Sequence, residues 1–208
     1  MKKTFIILLV LISSAASAQL KVRSNTKGLN VGAGVHVLGW SSKYFEYLDQ
    51  NAGNGYGGGL RVGYGITQLI EPYLAADFTS LNKNDVDAKS IGLTHIDVGV
   101  RFNLAGTVSN IRPFVEGGYG YRSGTAKQVI LGQDYVDAKF SGGTPHLGGG
   151  LNYFIKPSFA LFAHGIFTVG KKSDLSINSS KTTDKPDVTT FRISIGAQFN
   201  LSDLFSGN

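Results

Sequence analysis

Cysteine is absent from the 208-residue chain, and this absence removes several classes of protein. Disulfide-stapled domains, cysteine zinc sites, iron–sulfur clusters and thiol nucleophiles all require the residue. The lipid anchor of bacterial lipoproteins, which is attached to a cysteine, is excluded for the same reason. Charge is also scarce, at 16% of residues, whereas 13 Phe and 9 Tyr are present. Disordered chains are typically rich in charge and poor in aromatic residues, so an intrinsically disordered protein is excluded.

Basic runs and collagen-like repeats are missing as well. The net charge of +6 is spread along the chain without a run of five basic residues, so the sequence gives no support for nucleic-acid binding. The 28 glycines, about twice the usual share of roughly 7%, follow no Gly-X-Y period. This excludes a collagen helix.

The single long apolar run lies at the start of the chain and has the features of an export signal. Two lysines precede the apolar run 5–12, and the small residues Ala16 and Ala18 form a cleavage pattern. The run is too short to span about 30 Å of hydrocarbon as a helix. We therefore expect a signal peptide over residues 1–18, cleaved after Ala18, and one domain over residues 19–208.

After the signal, no run approaches the roughly 18 apolar residues of a membrane-spanning helix. Apolar and polar residues instead alternate with period two, which predicts β-strands. We count eight such segments: 29–40, 56–66, 71–80, 91–104, 112–122, 143–155, 159–170 and 189–201. Four long connections, 41–55, 81–90, 123–142 and 171–188, alternate with three short ones, 67–70, 105–111 and 156–158. This alternation is typical of an up-and-down antiparallel membrane barrel.

The two faces of the predicted strands differ sharply in polarity. One face of every segment is free of charge, as in Phe191, Ile193, Ile195 and Phe199 of the last segment. The opposite face carries glycines and the following charged or imidazole side chains: Arg61, Glu71, Asp77, Asp97, Arg101, Arg112, Glu116, Arg122, Arg192, His36, His95, His146 and His164. A charge at the lipid midplane costs roughly 2–4 kcal/mol, so the uncharged face is predicted to contact lipid and the polar face to line a narrow lumen.

Aromatic residues concentrate towards the two ends of the strands, where membrane barrels carry interfacial girdles. At the long-loop end we expect a girdle of Trp40, Tyr56, Tyr121, Phe167 and Phe191. At the short-turn end we expect one of Tyr73, Phe102, Tyr153, Phe159 and Phe199. The sequence therefore predicts an all-β, eight-stranded antiparallel transmembrane barrel.

The last segment also carries a short motif, Ser194-Ile-Gly-Ala-Gln-Phe-Asn-Leu201. With its spacing of polar residue, glycine, aromatic and apolar residue, the chain resembles the small eight-stranded outer-membrane β-barrels of Gram-negative bacteria, the group of outer membrane proteins A and X. The resemblance implies an outer-membrane location in contact with lipid. It also implies recognition of Ser194, Gly196, Phe199 and Leu201 by the barrel assembly machinery as an assembly signal.

Five lumen-facing charges fall near mid-height on neighbouring strands: Arg61, Asp77, Asp97, Arg101 and Glu116. Such a cluster suits either a proton path with acid–base chemistry or an ionic plug that neutralises buried charge. Because eight-stranded barrels fill their interior with side chains, we expect the structural plug.

Other chemistries find weaker support in the sequence. The four histidines lie at different heights and lack a close His-x-His pair, so no metal site is expected. The nearest hydrolase-like set is Ser80, His95 and Asp77, without a diagnostic motif, and we expect no catalytic residues. The glycine-rich stretches around 53–59 and 148–150 belong to strands and do not precede a helix, so no cofactor is expected.

Two long connections are rich in apolar residues, namely 41–55 and 123–142. They either extend the strands above the membrane or form a contact surface for an unknown extracellular partner, and we expect extension. The resulting hypothesis is a non-enzymatic outer-membrane barrel with a structural or surface-interaction role. A narrow pore or transporter and a soluble exported lipocalin-like binder remain the alternatives.

The even strand count and the loop lengths predict that both termini are periplasmic and the long loops extracellular. Protease treatment or tag labelling of intact cells should therefore reach residues 171–188 but leave 105–111 protected. The opposite pattern would reverse the orientation.

Overall fold

A computed structural model describes residues 22–83, 88–131, 134–170 and 173–202, with only the backbone described at 130, 131 and 134. The predicted signal peptide and its cleavage site lie outside these residues. Ten strands and one helix follow in chain order: β1 (Gly28–Ser41), α1 (Glu46–Ala52), β2 (Asn54–Gly65), β3 (Ile70–Leu81), β4 (Ser90–Asn103), β5 (Ile111–Leu131), β6 (Asp134–Lys156), β7 (Phe159–Gly170), β8 (Asp174–Ile177), β9 (Ser180–Lys181) and β10 (Val188–Asn200).

Eight of these strands close into an antiparallel barrel, which confirms the predicted fold class. Strands β1 to β6 each pair with the next strand along the chain, and β7 pairs with β10. The barrel closes where β10 pairs with β1 over the register from Asn30↔Asn200 to Ser41↔Thr189. All these pairs are antiparallel because each short turn or long loop returns the chain beside its predecessor.

The two faces of the barrel follow the period-two pattern. The outward residues include large apolar side chains such as Leu147, 70% exposed, and Val35, 61% exposed. The charged residues Arg101, Arg112 and Arg122 are at most 1% exposed, in the lumen. A soluble barrel has the opposite arrangement, so this distribution is that of a barrel surrounded by lipid.

Two of the predicted girdle residues were assigned to the wrong face. Trp40 and Tyr73 are buried inside the barrel, because Trp40 shares its strand face with Leu38 and Tyr73 shares its face with Glu71. The position of a residue along its strand sets the depth of its side chain in the membrane. The alternation of successive side chains between the two faces decides whether that side chain contacts lipid or the lumen. Phe159 is half-buried and its ring packs 4.5 Å from that of Phe199. The remaining members point outwards as predicted: Tyr56, Tyr121, Phe167, Phe191, Phe102, Tyr153 and Phe199.

The long loops differ in how they continue the barrel. Within the predicted loop 123–142, the described residues 123–131 and 134–142 extend β5 and β6 as a β-ribbon, which confirms the predicted extension. The connection 41–55 instead forms α1, so extension is wrong there. Phe45, Leu48 and Ala52 lie at helical spacing, and they pack against the apolar side chains inside the barrel mouth. Residues 171–188 include a hairpin of β8 and β9 that the sequence pattern did not predict.

No helix in the described part of the chain is long and apolar enough to cross a membrane.

The closing seam between β1 and β10 depends on a pair of facing glycines. Gly34 is the register partner of Gly196, and the ring of Phe162 lies over both. A Cβ atom at Gly34 would stand 2.6 Å from the carbonyl oxygen of Ile195 and 2.9 Å from the Phe162 ring. The seam can therefore accept only glycine at this point without displacing backbone or ring.

We expect Gly34→Val to lower the free energy of unfolding of the detergent-refolded barrel by about 1–3 kcal/mol, the usual cost of overpacking. Gly39→Val is the matched control on the same strand, because a Cβ there meets nothing closer than 3.6 Å. Urea titration followed by heat-modifiable gel mobility measures both variants. Equal stability of the two would contradict the close packing at the seam.

Candidate functional site

Buried side chains fill the lumen in three layers, which we name from the long-loop end downwards. The apolar plug lies at the long-loop mouth, the ionic layer lies at mid-height, and the polar layer lies at the short-turn mouth. The sequence-predicted cluster falls in the ionic layer. Each layer is built by the inward residues of several strands, because alternate residues of neighbouring strands converge on the barrel axis.

Glu116 is the centre of one half of the ionic layer. One of its carboxylate oxygens accepts hydrogen bonds from Arg61 Nη1 and Arg101 Nε, both at 2.9 Å. Its other oxygen lies 3.4 Å from His164 Nδ1. The two guanidinium groups also stack on aromatic rings, Arg61 at 3.5 Å from the centre of Tyr73 and Arg101 at 3.7 Å from the centre of Phe114. Charge-assisted hydrogen bonds of this kind are stronger than neutral ones.

Arg192 is the centre of the other half. Its Nη2 atom lies 3.0 Å from Asp77 Oδ2 and 3.1 Å from Asp97 Oδ2, so one guanidinium bridges two carboxylates. The predicted cluster was drawn from strands β2 to β5 and omitted Arg192, which lies on β10. A long arginine side chain crosses a narrow lumen, so strands that are distant around the barrel meet at its axis. The alternation of side chains along β10 directs Arg192 into the lumen, and this signal in the sequence could have identified it as a member of the cluster.

The structure thus divides the five predicted residues between two ion-pair groups. Arg61, Arg101 and Glu116 form one group, and Asp77 and Asp97 meet through Arg192 in the other. With Arg192 included, three guanidinium groups face three carboxylates in the ionic layer. Burial of unpaired charge is very unfavourable, and within the ionic layer the charges of these six groups balance.

Two histidines connect hydroxyl groups to the carboxylates of this layer. His36 Nε2 lies 2.8 Å from Thr79 Oγ1, and His36 Nδ1 lies 3.6 Å from Asp77. His146 makes a parallel arrangement with the Tyr73 hydroxyl at 2.7 Å and with Asp97 at 3.7 Å. The distances to the carboxylates exceed hydrogen-bond length, and the hydroxyls are buried, so these sets lack the accessible nucleophile of a hydrolase.

The hydrolase-like set suggested by the sequence is not assembled. Ser80 is exposed on the outside of the barrel, whereas His95 is buried in the lumen near Thr190. Asp77 is paired with Arg192. Among the described residues, no three histidine or carboxylate side chains converge in a way that could hold a metal ion.

A small cavity remains beside the ionic layer. Its volume is about 30 Å³, close to the space that one water molecule occupies in the liquid. It is bordered by His36, Arg61, Asp97 and His164, among others. This cavity therefore has room for about one or two waters.

The apolar plug closes the long-loop mouth. The rings of Trp40 and Phe140 stack at 6.2 Å, and Phe45 of the α1 loop packs 5.6 Å from Phe140. The indole Nε1–H of Trp40 donates a 2.7 Å hydrogen bond to the carbonyl of Ala52, which fixes α1 to the barrel. The buried members of the plug are Leu38, Trp40, Ala52, Leu81, Ala88, Ile91, Leu93, Ala126 and Val188.

The polar layer closes the short-turn mouth, and residues 23–27, which we call the strap, cross it. Backbone N–H groups of the strap donate to Thr107 and Pro157, and Thr26 hydrogen-bonds to Gln68. These three partners lie in the three short turns. Arg112, which is fully buried, donates to the hydroxyl of Thr26 from inside the lumen. Sequence patterns could not reveal the strap, since it has neither helical nor strand periodicity.

The residues of the expected assembly signal lie on or just after β10. Ser194 and Gly196 face the lumen, while Phe199 is exposed on the outside. The backbone N–H of Leu201 donates to the carbonyl of Leu29 at 2.7 Å and so continues the β1 pairing.

Comparisons with known proteins agree with this architecture. A family model described as "Outer membrane protein beta-barrel domain" matches residues 5–199. Among solved structures, the chain is similar to Neisserial surface protein A, with TM-score 0.61, 16% identity and coverage of 84% of this chain and 97% of that one. It is also similar to OprG from Pseudomonas aeruginosa, with TM-score 0.61, 12% identity and coverage of 86% and 98%.

Ail, the attachment invasion locus protein of Yersinia pestis, aligns with TM-score 0.52 and 15% identity over 84% of this chain and 100% of that one. Identities this low show the shared fold alone. No curated protein sequence matches the chain.

Removing the central carboxylate should destabilise the barrel strongly. We expect Glu116→Gln to cost about 3–5 kcal/mol, because Arg61 and Arg101 would remain buried without their partner. Glu46→Gln on the exposed face of α1 is the matched control and should leave the unfolding temperature nearly unchanged. Thermal unfolding of both refolded variants measures the difference. Equal effects would mean that Glu116 is solvated in a watery lumen.

Proposed function

The chain belongs to the outer membrane protein beta-barrel domain family, and on this premise we propose that it is a closed, non-enzymatic outer-membrane barrel that acts through its long loops. The observation that carries the proposal is the filled lumen. The apolar plug, the ionic layer and the polar layer lie one below another along the barrel axis, and each contains side chains that are nearly or fully buried.

Closure by three chemically different layers argues against the pore alternative. An ion that entered from the long-loop side would have to displace Trp40 and Phe140, then separate the ion pairs of Glu116, then pass the strap. The cavity beside the ionic layer has a volume of only about 30 Å³. Several of the inward glycines, which favoured a pore at the sequence level, are covered by inward side chains of nearby strands. Phe162 over Gly34 is one example.

The lipocalin-like alternative has little support from the surface. A soluble binder keeps its apolar residues inside and its charge outside, and this barrel has the reverse arrangement. The buried hydroxyl, imidazole and carboxylate sets of the ionic layer lack a path for a substrate, which supports a non-enzymatic role.

The long loops form a firm platform for contact with a partner outside the cell. The Tyr44 hydroxyl donates a 2.6 Å hydrogen bond to Asp184, which joins the α1 loop to the last long loop. The carboxylate of Asp184, which accepts this hydrogen bond, raises the pKa of the Tyr44 phenol above its usual value. The β-ribbon carries the exposed Tyr135, at 68%, an aromatic of the kind enriched in protein contacts. The partner we propose is an extracellular macromolecule.

We further propose that Ser194, Gly196, Phe199 and Leu201 act during biogenesis as the signal for the barrel assembly machinery. The continuous pairing of β10 with β1, the outward aromatic Phe199 and the lipid-facing apolar row support this role.

Planar-bilayer recording tests the closed lumen directly. Pure refolded protein should give no stable conductance steps under conditions in which a trimeric porin conducts. A triple variant that shortens one side chain in each layer, Trp40→Ser, Arg101→Ser and Arg112→Ser, should leak if it retains heat-modifiable mobility. Reproducible steps from the unaltered protein would overturn the proposal in favour of the pore.

A further inference from the structure

An open groove of about 550 Å³ lies on the outside of the barrel at the long-loop end. It crosses the upper parts of β2 to β5. Its floor is made of short hydroxyl side chains and glycine on three neighbouring strands: Ser80, Ser90, Gly92, Thr94, Ser123 and Thr125. It is separate from the lumen, because outward and inward residues alternate along each strand.

Strand register explains how these short side chains form one continuous surface. Thr94 of β4 is the partner of Ser123 on β5, and Gly92 pairs with both Ser80 on β3 and Thr125 on β5. Directly opposed residues in antiparallel strands hold their Cβ atoms about 4.5–5.5 Å apart. The hydroxyl groups are therefore spaced as a dense row of hydrogen-bond donors and acceptors, with no long side chain covering them.

Longer side chains border this floor of short hydroxyl residues. Tyr56 and Phe78, 66% and 60% exposed, stand on one side, and both belong to the upper aromatic girdle level. Lys127, which is exposed, borders the other side, and exposed Lys139 lies directly opposite Thr125 in the β5–β6 register. Among the described residues that line the groove, none is acidic. The carboxylate of Asp137, the nearest acid along β6, accepts a hydrogen bond from the backbone N–H of Gln128.

The height of the groove indicates what it meets in the membrane. Below it on the same strands, the outward residues are Ile96 and Val98 of β4 and Tyr121 of β5, which belong to the apolar surface. The groove thus begins where the hydrocarbon ends and faces sideways, at the level of lipid headgroups. With the long loops outside the cell, these headgroups belong to the outer leaflet.

We propose that this groove binds the phosphorylated sugar headgroup of an outer-leaflet glycolipid. The hydroxyl floor hydrogen-bonds to sugar hydroxyls, which carry both donors and acceptors. The rings of Tyr56 and Phe78 pack against the sugar face, and Lys127 and Lys139 pair with phosphate. The acyl chains then run down the apolar surface that contains Tyr121 and Ile96. Charge complementarity and the position above the lipid-facing row together favour this occupant over a protein partner.

Native mass spectrometry of the whole refolded barrel, loaded with lipid in mixed micelles, tests this site. The probes are bisphosphorylated lipid A, the same glycolipid without phosphate, and phosphatidylglycerol, which has negative charge but no sugar backbone. The unaltered barrel should retain lipid A more strongly than either of the other two. Equal retention of phosphatidylglycerol would overturn recognition of a sugar phosphate.

Two variants separate the parts of the site. Lys127→Gln with Lys139→Gln should weaken lipid A binding about 25-fold, since each lysine near a charged headgroup is worth about fivefold. Ser123→Leu, which fills the floor, should abolish the preference for lipid A over phosphatidylglycerol. Lys43→Gln with Lys181→Gln removes the same charge from loops away from the groove and is the matched control. All variants change exposed or half-exposed side chains, and unchanged heat-modifiable mobility checks that each barrel is folded.

If the double-lysine variant and its control bind lipid A equally, the proposal fails. If Ser123→Leu keeps the full preference for lipid A, the hydroxyl floor has no part in recognition and the proposal likewise fails. Retention of a co-purifying protein on the groove, in place of lipid, would be evidence for the other occupant.

Discussion

Lipid around the barrel excludes charge from one face of every strand, and the remaining architecture depends on that constraint. Because side chains alternate, each charged residue within the membrane region must point to the axis, where eight strands leave little space and little water. At mid-height, the confined carboxylates and guanidinium groups are accommodated as ion pairs. The groups formed by Glu116 and Arg192 are therefore a consequence of the environment outside the barrel as much as of the residues within it.

The filled interior also makes the barrel a rigid support for its loops. The packing of Trp40 against Phe140 continues directly into α1, and the β-ribbon continues the membrane strands β5 and β6 with one register shift between Ala126 and Val129. Loops that are joined to a packed interior hold their exposed side chains in fixed positions. Preorganisation of this kind reduces the entropy lost when a surface binds a partner.

The sequence was informative wherever one rule acts along a strand. Period-two alternation predicted eight strands, their order and the inward position of Glu116. The sequence could not predict contacts across the lumen. Arg192 is distant in sequence from Asp77, and no local pattern indicates that their two side chains meet. The helix α1 was missed because Phe45, Leu48 and Ala52 make only two turns, too short a stretch for periodicity to stand out. Trp40 and Tyr73 were assigned to the lipid-facing girdles because they lie near the ends of their strands. The alternation of side chains along each strand, which directs both residues into the lumen, was the stronger criterion.

The hydrogen bonds of the strap constrain the order in which parts of the barrel fold. Its few residues hydrogen-bond to Thr107, Pro157 and Gln68, which belong to turns from three different hairpins. A segment with partners so widely separated along the chain can dock only after all three hairpins stand side by side. The N-terminal residues, although synthesised first, are therefore among the last to reach their final place, and their docking marks a finished barrel.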